Sequence, residues 1–119
     1  MKRILIIEDN DDNLYMIKFI LEKSKLIVIS AKTGTEGIEA TLKENPDLVL
    51  MDIQLPDING LEVTKRIRQL MPDKQLPIVA LSSYAMTGDK QKALDAGCTG
   101  YIEKPIDPET IMDEIKSFL

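Results

Sequence analysis

The chain has 119 residues, 44% of them hydrophobic and 29% charged, with a formal net charge of −5, a composition that suits one globular domain with a single core. The acidic balance argues against nonspecific binding to nucleic acid or an anionic membrane. The single Cys98 excludes an internal disulfide, and no apolar run has the length of a signal peptide or a membrane span. Histidine is absent, which removes His-based triads, His-metal sites and an internal histidine phosphoacceptor, and a reducing cytoplasm is the expected setting.

In chain order, Arg3 leads into Ile4-Leu5-Ile6-Ile7 and then Glu8-Asp9, a β-branched apolar run closed by acids that predicts a strand over 3–7. Asn10, Asp11 and Asp12 supply capping groups for a helix reaching about Lys23. On that helix Ile17, Ile20, Leu21 and Ser24 recur at helical spacing and form the expected buried face. Tyr15 and Phe19 fall off that stripe and read either as a docking surface for a partner or as the margin of a broader buried face. Residues 26–30 predict a second strand and 33–43 a second helix. Asn45-Pro46 breaks the chain before Leu48-Val49-Leu50-Met51-Asp52, a run expected to be covered on both faces of a parallel sheet.

The pattern continues with a helix over 60–71 carrying Leu61, Val63, Ile67 and Leu70 on its apolar row, stopped by Pro72. Ile78-Val79-Ala80-Leu81 predicts a buried strand ending in Ser82-Ser83, and a helix over 88–96 follows, closed by Gly97. A short strand over 99–102 ends in Glu103-Lys104-Pro105. Asp107-Pro108 reads as cap and first helical residue, with the last helix running to about Phe118 on Ile111, Ile115 and Leu119. Five strands strictly interleaved with five helices call for a doubly wound parallel sheet with helices on both faces. The order 2-1-3-4-5 is one of two common arrangements, and periodicity does not choose between them.

In such a fold Glu8 and Asp9, Asp52, Ser82 and Lys104 all fall at the carboxyl edge of the sheet, where ligands bind. Each alone has an ordinary structural reading, because acids and hydroxyls often end strands; the conjunction on four strands points to chemistry. Three carboxylates within about 4–5 Å repel by several kcal/mol per pair at an effective dielectric near 20. A hard divalent cation such as Mg²⁺ relieves that repulsion. Aspartate carboxylates can act as nucleophiles toward phosphorus, while a hydroxyl and an ammonium stabilise the transferred oxygens.

Ile6-Ile7-Glu8-Asp9-Asn10, Met51-Asp52 through Gly60, Ala80-Leu81-Ser82-Ser83 and Tyr101-Ile102-Glu103-Lys104-Pro105 resemble the receiver domain of two-component response regulators. The likeness spans essentially the whole chain, in family order. With Met86, Gly88-Asp89 and Lys104-Pro105-Ile106, the wording is most similar to single-domain regulators of the DivK and CheY type and to receivers of hybrid kinases. The resemblance implies a flavodoxin-like, CheY-like sheet in the order 2-1-3-4-5 and one receiver domain over 1–119.

It further implies that Asp52 accepts phosphate from a phosphohistidine of a sensor kinase or histidine phosphotransfer protein. Asp9 and Asp52 would bind Mg²⁺ (Mn²⁺ as the alternative ion), Glu8 mainly through water, and Gln54 through its backbone oxygen. Ser82 would be the switch hydroxyl, Lys104 the cation on the phosphoryl group and Tyr101 the aromatic that turns inward on activation, although a static packing tyrosine is the plain reading of that residue. The bond before Pro105 is expected to be cis. Three positions depart from the commonest pattern: Ser82 stands where Thr is frequent, Ser83 where Ala or Gly is usual, and Glu8 where an Asp is usual. None removes a required group.

Two other readings stay open. A haloacid-dehalogenase-type phosphatase also uses a strand-end Asp, a hydroxyl and a Lys, but Gln54 occupies the place of its usual acid/base Asp and the chain lacks room for a cap. A phosphate-independent interaction module fits poorly with a full set of acceptor-site residues. With 107–119 as the last helix, no residues remain for a DNA-binding or enzymatic output domain unless the chain is excised from a larger protein. The expected role is therefore a phosphoacceptor that assists its own phosphorylation and dephosphorylation, signalling to a downstream protein target without contacting DNA or membrane.

Overall fold

Period-two alternation within the apolar runs divides the interior into two cores, one on each face of a single sheet. The computed structural model describes residues 2–82 and 89–119; the readings placed on Ser83, Met86 and Gly88 lie outside the described residues. Strands β1 (Arg3–Ile7), β2 (Ile27–Ala31), β3 (Leu48–Asp52), β4 (Ile78–Ser82) and β5 (Gly100–Glu103) alternate with helices α1 (Asp11–Lys23), α2 (Gly34–Glu44), α3 (Gly60–Leu70), α4 (Asp89–Ala96) and α5 (Ile111–Phe118). The strands are all parallel, in the order β2-β1-β3-β4-β5.

Ile4, Ile6, Leu48, Leu50, Val79 and Leu81 face one way, against Ile17 and Leu21 of α1 and Ile111 and Ile115 of α5. Leu5, Ile7, Val49, Met51, Ile78 and Ala80 face the other, against Val63 and Ile67 of α3 and Ala93 of α4, with Ile38 of α2 at the margin. Each fully buried aliphatic side chain contributes on the order of 1.5–3 kcal/mol. β3 and β4 are buried along their whole length, whereas β2, at the sheet edge, is half exposed.

Several boundaries differ from those the sequence suggests. Leu26 belongs to the close of α1 rather than to β2: Lys25 takes a positive φ of 65° and the Leu26 amide donates to Leu21 O at 3.2 Å, a left-handed helix ending. Ser24 is therefore an exposed cap, and the buried row of α1 is Ile17 and Leu21, with Leu14 and Ile20 half-buried beside it. On α3, Leu70 is exposed, and Thr64 takes a buried place because its hydroxyl donates to Gly60 O at 3.0 Å. Asp107 does cap, accepting from the Glu109 amide at 2.9 Å, but a separate turn follows and regular helix begins only at Ile111. Leu119 lies past the end of α5 and is 40% exposed.

The buried middle of α5 and the exposed residue past its end give a direct check on this packing. Ile115→Ala is expected to lower stability by about 2–5 kcal/mol in urea denaturation, and Leu119→Ala to change it by less than about 0.5 kcal/mol.

Candidate functional site

Because every strand runs the same way, each delivers its last residue to one edge of the sheet. Asp52 is the final residue of β3 and is 6% exposed; Glu8, just past β1, is fully buried. Ser82 ends β4 and is buried, one residue beyond the register partner of Asp52. Lys104 follows β5, its amide donating to Ser82 O at 2.7 Å, and the Lys104–Pro105 peptide bond is cis. The Lys104 ammonium sits between the two buried acids, 2.8 Å from Glu8 Oε1 and 3.2 Å from Asp52 Oδ2. Asp9 is exposed, yet Glu8, Asp9 and Asp52 each bring one carboxylate oxygen to within 4.8 Å of the others. The group opens onto a cleft of about 590 Å³ lined by Asp9, Asn10, Asn13, Asp52, Gln54, Lys104 and Pro105.

The loop after β3 is held tightly. The Gln54 amide donates to Asp52 Oδ1 at 3.0 Å, the Gly60 amide to Ile53 O at 2.8 Å, and the Ile53 amide to Leu81 O at 3.1 Å. A Cβ at Gly60 would stand 2.5 Å from Asp52 O and 2.8 Å from Ile53 Cα. Both are backbone atoms of the acceptor strand and its loop, so only glycine permits this approach.

The charges are arranged unevenly. Burial first, and then the hydrogen bond and charge of Asp52, push the Glu8 carboxyl up to about 7, while Lys104 pulls it back. Burial works to lower the Lys104 ammonium, but its hydrogen bonds and charge contacts with Glu8 and Asp52 outweigh burial and hold it above its ordinary value. Glu8 Oε2 is buried with no hydrogen-bond partner among the described residues. An orphaned carboxylate oxygen beside two further carboxylates is a donor set that fits a hard divalent ion, and Glu8, Asp9 and Asp52 are the residues that could hold one.

Of the residues singled out in the sequence, Glu8, Asp9, Asp52 and Lys104 come together, Gln54 joins them through its backbone, and Ser82 occupies the neighbouring strand end. Tyr101 stands apart on β5, half-buried and packed on the α3–α4 side of the sheet. It lines a separate cavity of about 350 Å³ with Lys90, Glu103 and residues of α5. Tyr15 and Phe19 are 73% and 57% exposed, so they belong to no buried face. They border a shallow groove of about 320 Å³ with Lys18 and Glu22. Asn13 and Asp57 were missed. Asn13 could have been found from its place one turn after the capping Asn10, whereas Asp57 bonds to residues over 20 positions away and carries no local signal.

A model of the response regulator receiver domain matches residues 4–116. The polar-differentiation response regulator DivK of Brucella ovis is 37% identical over 118 residues, covering 99% of this chain and 96% of that protein. Among solved structures, the chemotaxis response regulator CheY4 of Vibrio cholerae superposes with a TM-score of 0.94 at 27% identity, covering 100% of this chain and 99% of that one. The receiver domain of the Saccharomyces cerevisiae response regulator Ssk1, crystallised with the histidine phosphotransfer protein Ypd1, superposes at 0.92 with 31% identity, covering 98% and 88%. The five-stranded parallel sheet in the order β2-β1-β3-β4-β5 is the CheY-like fold of these solved neighbours. The chain belongs to the response regulator receiver domain family of two-component signalling.

The raised Glu8 carboxyl has a definite sign. Its contribution to stability is fully present below about pH 4.5 and is lost as pH rises through about 7. In metal-free protein, Glu8→Gln should therefore match the parent near pH 4 and exceed it at pH 8 by about 1–3 kcal/mol, read by urea denaturation in the presence of a chelator.

Proposed function

We propose that Asp52 accepts a phosphoryl group from a phosphohistidine of a sensor kinase or histidine phosphotransfer protein, and that this shifts the surface formed by α4, β5 and α5 toward binding a downstream protein. The observation that carries this reading is the Lys104 ammonium held between buried Glu8 and Asp52 at the open end of the sheet. The Ssk1 receiver crystallised with a phosphotransfer protein supports the class of donor.

Asp52 presents Oδ2 to Lys104 and Oδ1 to the Gln54 amide, so its carboxylate is oriented before a donor arrives. A carboxylate oxygen attacks phosphorus, the P–N bond of the phosphohistidine breaks, and its electron pair stays on the imidazole. Lys104 already lies within reach of Asp52, where it can neutralise a phosphoryl oxygen. The Ser82 hydroxyl donates to a second oxygen. Asp9, Asp52 and the Gln54 backbone oxygen, with Glu8 through water, would hold Mg²⁺, which when bound would neutralise charge on the acids and the phosphoryl group. Asp52 is a stoichiometric acceptor rather than a turnover catalyst, because the chain holds its product on its own side chain.

The phosphoryl group brings three acceptor oxygens carrying about 1.5–2 negative charges, and because the carboxylate charge of Asp52 is lost in the acyl bond, the net gain is about one charge. Drawing Ser82 toward it vacates space near Tyr101, and a rotation of Tyr101 inward remodels the 350 Å³ cavity between β5 and α5. The exposed pair Tyr15 and Phe19 is the candidate contact for a partner.

Incubation with a small phosphodonor and Mg²⁺ should give one phosphate per chain on a phosphate-affinity gel or by intact mass, and Asp52→Asn should abolish it. Labelling unchanged in Asp52→Asn would contradict the assignment, and multiple turnover of a phosphomonoester would favour a phosphatase instead.

A further inference from the structure

Asp57 lies in the loop between β3 and α3, five residues past Asp52, and is exposed. A solvated surface carboxylate usually has no fixed partner, yet this one has three. Oδ1 accepts from the Gly34 amide at 2.7 Å; Oδ2 accepts from the Thr35 amide at 3.0 Å and from the Thr35 hydroxyl at 2.7 Å. The carboxylate thus closes the first turn of α2, whose free amides and positive dipole end favour an anion. The hydroxyl and amide of Thr35 and the amide of Gly34 hold its carboxyl well below the usual carboxylate range.

That helix end has a cap of its own besides Asp57, which serves a different amide. Thr33 is the N-cap, its hydroxyl accepting from the Glu36 amide at 3.1 Å, and Glu36 Oε2 reaches back to accept from the amide of Lys32, the residue before the cap, at 3.2 Å. The contact is better understood from the other side, as a hold on the loop. Gly34 permits it: a Cβ there would meet Val63 Cγ2 at 2.8 Å and Asp57 Oδ1 at 3.2 Å. The same turn of chain reaches the start of α1, where Lys32 Nζ lies 2.6 Å from Oδ1 of Asp11, the first residue of that helix and two residues past Asp9. The backbone of Glu8 is fastened there too, its amide donating to Ala31 O at 3.0 Å. The stretch 31–35 therefore bridges the loop that carries Glu8 and Asp9 and the loop that carries Gln54.

We infer that Asp57 is a positioning residue of the acceptor site: by clamping the Gln54 loop to the first turn of α2, it holds that loop in register with the Glu8–Asp9 loop across the divalent-ion site. This rests on the receiver reading above. Asp57 is not among the residues that line the cleft. It acts through the backbone of residues 53–57, whose near end is fixed at Ile53 by Leu81 O and the Gly60 amide and at Gln54 by Asp52, and whose far end is held by Asp57 itself.

The test is a Mg²⁺ titration followed through the backbone amide NMR signals of Asp9 and Gln54, run beside thermal denaturation without metal and labelling rates with a small phosphodonor. Asp57→Ala should weaken Mg²⁺ binding about ten-fold or more, the range expected when a group supporting a metal ligand is lost. Its labelling rate should fall at limiting Mg²⁺ and recover to the parental value at saturating Mg²⁺. Asp57→Asn, which keeps an acceptor oxygen for Gly34, should fall between. Thr35→Val removes only the hydroxyl donor and should give a smaller loss in the same direction, which keeps the test open if Asp57→Ala does not fold. A lowered melting temperature with parental Mg²⁺ affinity in all three variants would overturn the inference and leave Asp57 as a helix cap. Failure of the unsubstituted chain to bind Mg²⁺ or to label would instead overturn the receiver reading beneath it.

Discussion

Two carboxylates buried within reach of one ammonium are the constraint on which the rest of the molecule depends. Glu8 is fully buried and Asp52 nearly so, and neither could remain ionised there without compensation. Lys104 compensates both at once, at 2.8 and 3.2 Å, but it cannot satisfy every oxygen. Glu8 Oε2 is left over, and Asp9 adds a third carboxylate at the rim. Two acids 4.8 Å apart repel by about 3–4 kcal/mol at an effective dielectric near 20. The pocket is thus built short of positive charge, which is the condition for taking up a cation.

Holding such a pocket together demands a rigid frame, because its members are far apart in the chain: Glu8 and Lys104 are separated by 96 residues and Asp52 and Lys104 by 52. The parallel sheet solves this by sending every strand end to one edge. The two cores that cover its faces, one under α1 and α5 and one under α2, α3 and α4, fix the strand register. A slip of one residue would exchange the two cores and turn Asp52 away from Glu8. The loop after β3 is then held by close approach at Gly60 and by the Asp57 contact with α2.

Much of this was legible in the residues. The apolar runs of β1, β3 and β4 are unambiguous because they are buried on both faces, and their acidic or hydroxyl endings mark the edge where chemistry collects. The strand order came from the resemblance in the family motifs, since alternation of strand and helix is equally consistent with other orders. Helix margins were harder. Ser24, Leu70 and Leu119 fit helical spacing but lie at or past helix ends, where a spacing rule no longer reports burial. Thr64 was passed over as polar, although its hydroxyl is satisfied by the backbone of its own helix. Asp57 was invisible for a different reason: its meaning lies in Gly34 and Thr35, which only the folded chain brings to it.

The central claim is that the phosphoryl group resides on the Asp52 carboxylate. An acyl phosphate, unlike a phosphoester, is reduced by borohydride to an alcohol, which converts the modified aspartate to homoserine. Borohydride reduction of the phosphorylated chain followed by peptide mass spectrometry should place homoserine at position 52 and nowhere else. Homoserine at Asp9 or another acid, or a phosphate that survives borohydride on a serine or threonine, would contradict the account.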